Sequence, residues 1–228
     1  MVVIDEFVSA SITGFENPTT QYLDKVINLD EVLIHNPSST SIQAAPNSVY
    51  ARGVAKGDWL VVNRALSPKH QDLLLVMVDG VLGVATLSYI SHLKSGCDNI
   101  EVVGVVQQSV HFYRGAQTAP DHETLSDTTL HELLVEQDYS TVLARASGDS
   151  MMPHTQDRDL MIIERHLDYR EGDVCVVAYN GSLVLKRVSK LGGTLSSDNP
   201  KFQTVSLQYG DRVSIEGVVN KVVRMHRV

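Results

Sequence analysis

Runs of four to seven Val, Ile and Leu residues recur along the chain, split by turn signals such as Asp79-Gly80, Asn180-Gly181 and Asp198-Asn199-Pro200. Short apolar runs bounded by Gly, Asn, Asp and Pro read as strands. The strongest turn signal is Asn180-Gly181, because a two-residue type I′ turn needs positive φ at both central positions. It predicts that DVCVVAY and SLVLKRV form a hairpin. The fold class that follows is all-β.

The pattern repeats. An offset of 101 residues lays GDWLVVNRAL (57–66) over RDLMIIERHL (158–167), and the same register pairs Leu29, Glu31, Leu33, Ser39 and Thr40 with Leu130, Glu132, Leu134, Ser140 and Thr141. A register held this long predicts two tandem copies of one compact β domain. Near the ends of the copies the offset is 113, with Gly104 over Gly217, so the second copy carries about 12 extra residues around KLGGTLSSDNPKFQ. The polar stretch 114–129, RGAQTAPDHETLSDTT, has no apolar period and reads as a connector, which puts a boundary near Gly115.

Composition narrows the function classes. A net charge of −8 and a pI near 5.5 argue against direct, sequence-specific DNA binding, since gripping a phosphate backbone takes clustered Lys and Arg. Cys97 and Cys175 lie in apolar stretches outside any ligand spacing, so they read as buried, reduced thiols, and neither a metal nor a cofactor is implied. No run approaches the roughly 20 apolar residues of a membrane span. The start MVVIDEFVSASIT is acidic where a signal peptide is basic, so the expectation is a cytoplasmic protein.

Two residues carry candidate chemistry. Ser150 stands in ARASGDSMMP, where small and polar residues follow an apolar strand, so its hydroxyl is expected at an exposed turn. The backbone N–H groups of Ser150 and Met151 could there hold an oxyanion. A GDS tripeptide is also a common ordinary turn, and the residues alone leave both readings open. The nine histidines are scattered, and His154, the nearest to Ser150, reads as solvated surface. Lys186 interrupts SLVLKRV on the same period-two face as Val184 and Val188. Desolvation there would lower its pKa and make it a proton acceptor for a serine; the alternative is an edge lysine snorkelling into water.

ASGDSM, followed by a GD-initiated strand pair and then VLKRV after a turn, resembles the LexA/UmuD family of self-cleaving SOS-response proteins. The resemblance implies Ser150 as nucleophile and Lys186 as base, a Ser-Lys dyad. Within the family the likeness is closer to UmuD-type accessory subunits of translesion DNA polymerase V. GFENPTTQYLDKVINLDEVLIHNPS (14–38) looks like the segment that begins at the family's cleavage-site glycine. This divides the chain into a short N-terminal arm (1–13), a UmuD-like domain (14–114) and a second one with the dyad (115–228).

The chain departs from the family pattern in the first copy. Its serine is matched by Ser48 in AAPNSV, but Ala85 stands where the lysine belongs, and alanine takes no proton. The resemblance places self-cleavage at Thr13-Gly14, where Thr13 is larger than the small residue usual there. The equivalent bond before the second copy is Arg114-Gly115, where a long charged side chain would have to enter the site. Only 13 residues precede Gly14, too few for a winged-helix DNA-binding domain.

The resemblance implies a partner in a UmuC-like Y-family DNA polymerase, with activated RecA filament, LexA or UmuD as further partners. The UmuD-like domains would pair within one chain or between chains, and a fused pair could occupy the place of a processed dimer. Two other functions stay open: a decoy that forms mixed dimers with LexA or UmuD, and a Ser-Lys peptidase acting on other proteins.

Overall fold

The structure is a computed structural model that describes residues 2–9, 29–34, 36–93, 99–115, 118–119 and 129–227. In chain order its elements are β1 (Val2–Ser9), α1 (Leu29–Leu33), β2 (Thr40–Ala44), β3 (Trp59–Asn63), β4 (Leu73–Val78), β5 (Val81–Thr86), α2 (Leu87–Leu93), β6 (Ile100–Phe112), α3 (Leu130–Leu134), β7 (Thr141–Ser147), β8 (Leu160–Glu164), β9 (Val174–Tyr179), β10 (Ser182–Ser189), β11 (Thr194–Ser196), β12 (Val205–Ser206) and β13 (Val213–Met225). The fold is mainly β, as the apolar runs predict. Among the described residues no helix is long and apolar enough to cross a membrane.

The chain forms two compact units. The second holds β1, residues 112–115 and 134–223, and the first holds the described residues of 29–111, 118–119, 129–133 and 224–227. This is less contiguous than a cut at Gly115, and the crossings have visible causes. Strand β1 is hydrogen-bonded into the second unit, beside β7 and β10. In the first unit the terminal segment is held by Arg227 Nη1, 3.1 Å from the Asp72 carboxylate, and by His226, 2.8 Å from Ser109 Oγ. The N–H groups of Leu130 and His131 cap on the Asp30 carboxylate at 2.8 and 2.9 Å.

The first unit is an antiparallel sheet in the order β2-β3-β6-β4-β5. Leu73 and Leu75 of β4 enter one core cluster with Leu60, Val62 and Val84, while Leu74 and Val76 enter another with Ile90 and Val105. Burial on both faces is why this strand reads as an unbroken apolar run rather than an alternation.

The second unit closes on itself. Strand β10 pairs with β1, β1 with β7, β7 with β8, β8 with β13, β13 with β9, and β9 with β10. Closure satisfies edges that an open sheet leaves unpaired. The pairings of β1 are parallel and the others in the ring antiparallel, so the short arm expected at residues 1–13 contributes the closing strand. Asn180 and Gly181 have φ of 49° and 88° and join β9 to β10, as the type I′ signal requires.

Local hydrogen bonds recur in the two units at the spacing of the sequence repeat. Ala45 N–H donates to Asp58 O at 2.7 Å and Ala146 N–H to Asp159 O at 2.8 Å. The Asp58 carboxylate accepts from Ala55 N–H at 2.8 Å, and that of Asp159 from Gln156 N–H at 2.7 Å. A Cβ on Gly104 would lie 2.7 Å from Val62 Cγ1, and one on Gly217 2.5 Å from Ile163 Cγ2. A side chain at Gly104 is excluded by both the Val62 side chain and the Asn63 backbone, and one at Gly217 by the Ile163 side chain.

Candidate active site

Strand β7 delivers the chain into the turn that carries Ser150, and Met151 anchors that turn by packing into a cluster with Val142, Ala146, Ile163 and Leu185. Lys186 projects from β10, the strand that follows the Asn180-Gly181 turn. The two meet: Lys186 Nζ donates to Ser150 Oγ at 3.3 Å and to Ser197 Oγ at 3.0 Å. Lys186 is 6% exposed and Ser150 has no exposed surface. Burial lowers the Lys186 pKa from the ordinary lysine value, which raises the fraction of neutral amine able to take a proton from Ser150. The snorkelling alternative therefore does not describe this lysine.

The burial of Ser150 corrects the expectation of an exposed turn. Its cause is the segment of about 12 residues that the first half lacks. From it, Asn199 donates its backbone N–H to the Ser150 carbonyl at 2.9 Å and its side-chain amide to the Asp149 carbonyl at 2.9 Å. The Phe202 ring lies 6.0 Å from Lys186 Nζ. Asp198 clamps the segment by a two-pronged pair with Arg187, Nε and Nη2 each donating at 2.8 Å.

These contacts bear directly on the oxyanion donors. Each peptide group is planar and trans, so its N–H points opposite to its C=O. By holding the Asp149 and Ser150 carbonyls, Asn199 fixes the planes that carry the Ser150 and Met151 N–H groups. The Met151 carbonyl is held in turn by Thr155 N–H at 3.0 Å. The arrangement has the parts of an acyl-transfer site: a hydroxyl nucleophile, a desolvated amine base and two oriented amide donors.

Tyr113 lines the same region. Its hydroxyl is 2.7 Å from Thr155 Oγ1 and its ring lies 5.8 Å from the Arg187 guanidinium. His154, expected as solvated surface, is half-buried and edge-on to Tyr113, with ring centroids 6.3 Å apart. Arg114 is engaged elsewhere: Nε donates to both Asp173 carboxylate oxygens at 3.1 and 3.2 Å, Nη2 also bonds that carboxylate, and Asp168 O accepts at 2.5 Å. The side chain before Gly115 is thus tied down in an ion pair. Thr13 and Gly14 lie outside the described residues, as does Cys97. Cys175 is buried, and burial pushes its thiol pKa up to about 12, which makes it unreactive.

In the first unit the corresponding place is altered. Ala85 sits on β5 opposite Leu74, just as Lys186 sits on β10 opposite Cys175. Ser48 Oγ accepts from Lys56 N–H at 2.9 Å. Ser48 is the third residue after Ala45 whereas Ser150 is the fourth after Ala146, so Val49 occupies the backbone position matching Ser150. With neither nucleophile nor base at the matching positions, the site has no dyad.

Ser197 and Asn199 were not singled out from the sequence as site residues. The signal available was the extra segment itself, present only in the half that holds the complete pair.

Residues 108–220 match the Peptidase S24-like family model. Among curated relatives, Protein ImpA of Escherichia coli is 34% identical over 82 residues, 36% of this chain and 57% of that protein. Protein SamA of Salmonella typhimurium is 28% identical over 82 residues, 36% of this chain and 59% of that protein. LexA repressor 2 of Pseudomonas putida is 33% identical over 85 residues, 36% of this chain and 42% of that protein. The chain thus spans little more than half the length of the first two relatives. The family match covers the stretch that holds Ser150 and Lys186: this chain carries a Peptidase S24-like domain and is homologous to ImpA, SamA and LexA proteins.

Proposed function

We propose that the protein is a self-cleaving Ser-Lys peptidase of the LexA/UmuD type that serves as a UmuD-like accessory subunit of an error-prone Y-family DNA polymerase in the SOS response. The observation that carries the reading is the buried contact of Lys186 Nζ with Ser150 Oγ at 3.3 Å. Neutral Lys186 takes the hydroxyl proton as Ser150 Oγ attacks a peptide carbonyl, and the N–H groups of Ser150 and Met151 hold the resulting oxyanion. The Lys186 ammonium then gives its proton to the departing amine, leaving an ester on Ser150. Water, deprotonated by Lys186, hydrolyses that ester.

The arm is the favoured substrate. Strand β1 lies between β7 and β10, and its last residue, Ser9, pairs with Val184, two positions before Lys186 on β10. Thr13-Gly14 follows Ser9 closely in the chain and is the preferred bond, whereas Arg114 is held by Asp173. A segment of the chain itself beside the site favours self-cleavage over a peptidase acting on other proteins. Intact-protein mass spectrometry at alkaline pH, or with activated RecA filament, tests this. A fragment starting at Gly14 is expected from the native chain and from neither Ser150→Ala nor Lys186→Ala.

The recurring hydrogen bonds and the paired Gly104 and Gly217 support reading the two units as copies of one domain, the first having lost its dyad. Such a fused pair could take the place of a dimer on the polymerase. Pull-down of a UmuC-like polymerase by the purified chain is the expected result, and recovery of none would sink the accessory role.

A further inference from the structure

Lys186 and its counterpart in the first unit form an internal comparison. Their hairpins place them alike, Lys186 opposite Cys175 and Ala85 opposite Leu74. Lys186 is buried, whereas Ala85 is half-buried and lines an open groove of about 570 Å3 with Ser48, Thr86 and Tyr89. Two additions distinguish the second unit here. Strand β1 pairs its backbone with β10 at Val184, and the extra segment around 190–203 brings a side chain over the Lys186 amine.

That side chain is Phe202, whose ring centroid lies 6.0 Å from Lys186 Nζ. The ring is 36% exposed while Lys186 is 6% exposed, so Phe202 stands between the amine and solvent. The segment that carries it is fixed: Phe202 N–H donates to Asn199 O at 3.1 Å and Lys201 N–H to Asn199 Oδ1 at 3.1 Å. The described charged groups on the surrounding elements are engaged elsewhere or face water. Asp198 is paired with Arg187, Asp149 and Lys201 are exposed, and the Cys175 thiol on β9, pushed up to about 12 by burial, is neutral. Desolvation is what lowers the Lys186 pKa, and apolar surface rather than a neighbouring charge supplies it.

We propose that Phe202 seals the site: its ring excludes water from the Lys186 amine and so lets that amine act as a base toward Ser150. The inference deepens the reading of Ser150 and Lys186 as a peptidase dyad and rests on it. Phe202 is a positioning residue, acting through Lys186. An aromatic face also attracts an ammonium within about 6 Å, which would favour the charged form. At 6.0 Å that attraction is at the limit of its reach, so exclusion of water wins. Base and seal are present together in the second unit, and the first unit, with Ala85 in its open groove, lacks both.

Single-turnover cleavage by the full chain across pH tests this. Phe202→Ala should lose about tenfold in rate at neutral pH, the fall that one unit of pKa produces, and keep the native plateau at alkaline pH. Phe202→Leu keeps an apolar cover without the aromatic face and should stay within about twofold of the native chain at both. A midpoint that stays put or moves down in Phe202→Ala would overturn the proposal, as would a lower plateau with an unmoved midpoint. Urea denaturation gives a reading that needs no cleavage: the rise of stability with pH that Lys186→Met abolishes should shrink in Phe202→Ala and persist in Phe202→Leu. A native chain that never cleaves would therefore refute the peptidase reading, while the seal stands or falls on the denaturation curves.

Discussion

The backbone N–H of Asn199 donates to the carbonyl of Ser150 at 2.9 Å, and its side-chain amide reaches the carbonyl one residue earlier. One residue therefore sets both peptide planes that carry the Ser150 and Met151 N–H groups, the proposed oxyanion donors. Asn199→Ala keeps the backbone bond and removes the side-chain bond. Removing an oxyanion donor outright costs about 10²–10³ in rate, so loss of its orienting partner is expected to cost about tenfold. Single-turnover cleavage measured across pH should show a lower plateau with an unmoved midpoint, because Lys186 is untouched. A shifted midpoint would assign Asn199 to the base instead.

Lys186 makes cleavage pH-dependent in a definite direction. With the neutral amine as the proposed base, and burial holding its pKa below the ordinary 10.5, the rate should rise with pH and level off before that value is reached. The same shift has a stability consequence. Below the lowered pKa the fold must bury an ammonium, so stability should rise with pH between the folded pKa and 10.5. Lys186→Met should abolish both the cleavage and this rise, as read by urea denaturation at several pH values.

Ser197 shares Lys186 Nζ with Ser150 at 3.0 Å. Without it the amine can rotate away from the nucleophile, so Ser197→Ala should slow cleavage by about tenfold, an effect of positioning geometry. Ser197→Thr keeps the hydroxyl and should recover most of the rate. If alanine and threonine behave alike, the contact is incidental.

How much of this was legible in the sequence follows from the range of each interaction. The hairpin at Asn180-Gly181 and the apolar strands are local patterns, and Ser150 and Lys186 stand in short motifs, so all could be read directly. The closure by β1 could not, because VVIDEFVS becomes a ring strand only when β7 and β10 present edges to it from far along the chain. Nor could the burial of Ser150, which depends on a segment about 50 residues later folding back over it. Ser48 misled for a subtler reason: it matches the serine by motif but sits one position early in the 101-residue register, and the hydrogen bonds of Ala45 and Ala146 keep that register, so Val49 takes the backbone position of Ser150.

The close approaches at the two glycines make a stability prediction. Gly104→Ala sets a methyl 2.7 Å from Val62 Cγ1 and 3.0 Å from the Asn63 backbone oxygen, whereas Gly217→Ala meets the Ile163 side chain at 2.5 Å with the nearest backbone atom at 3.4 Å. Overpacking of this kind costs about 1–3 kcal/mol. The Gly104 change should cost more, since the strand itself must move rather than one rotamer. Equal losses in urea denaturation would show that both strands yield equally.

Arg114 and Asp173 give the last prediction. Burial alone would raise the Asp173 pKa, but the hydrogen bonds and charge of Arg114, with the Arg170 N–H, hold that carboxyl below its usual 3.8. A depressed folded pKa stabilises the fold fully above the unfolded value, and the contribution is lost as pH falls through the folded value. Acid should therefore loosen this contact below about pH 3.8. Asp173→Asn removes the charge, so its stability should be lower than that of the native chain at neutral pH and the gap should shrink on acidification. The same variant removes the ion pair and leaves Arg114 with its bond to the Asp168 carbonyl, and a new fragment starting at Gly115 in its mass spectrum would show that the ion pair protects that bond. Continued absence of the fragment would mean that the bond is spared by the mismatch of arginine with the site.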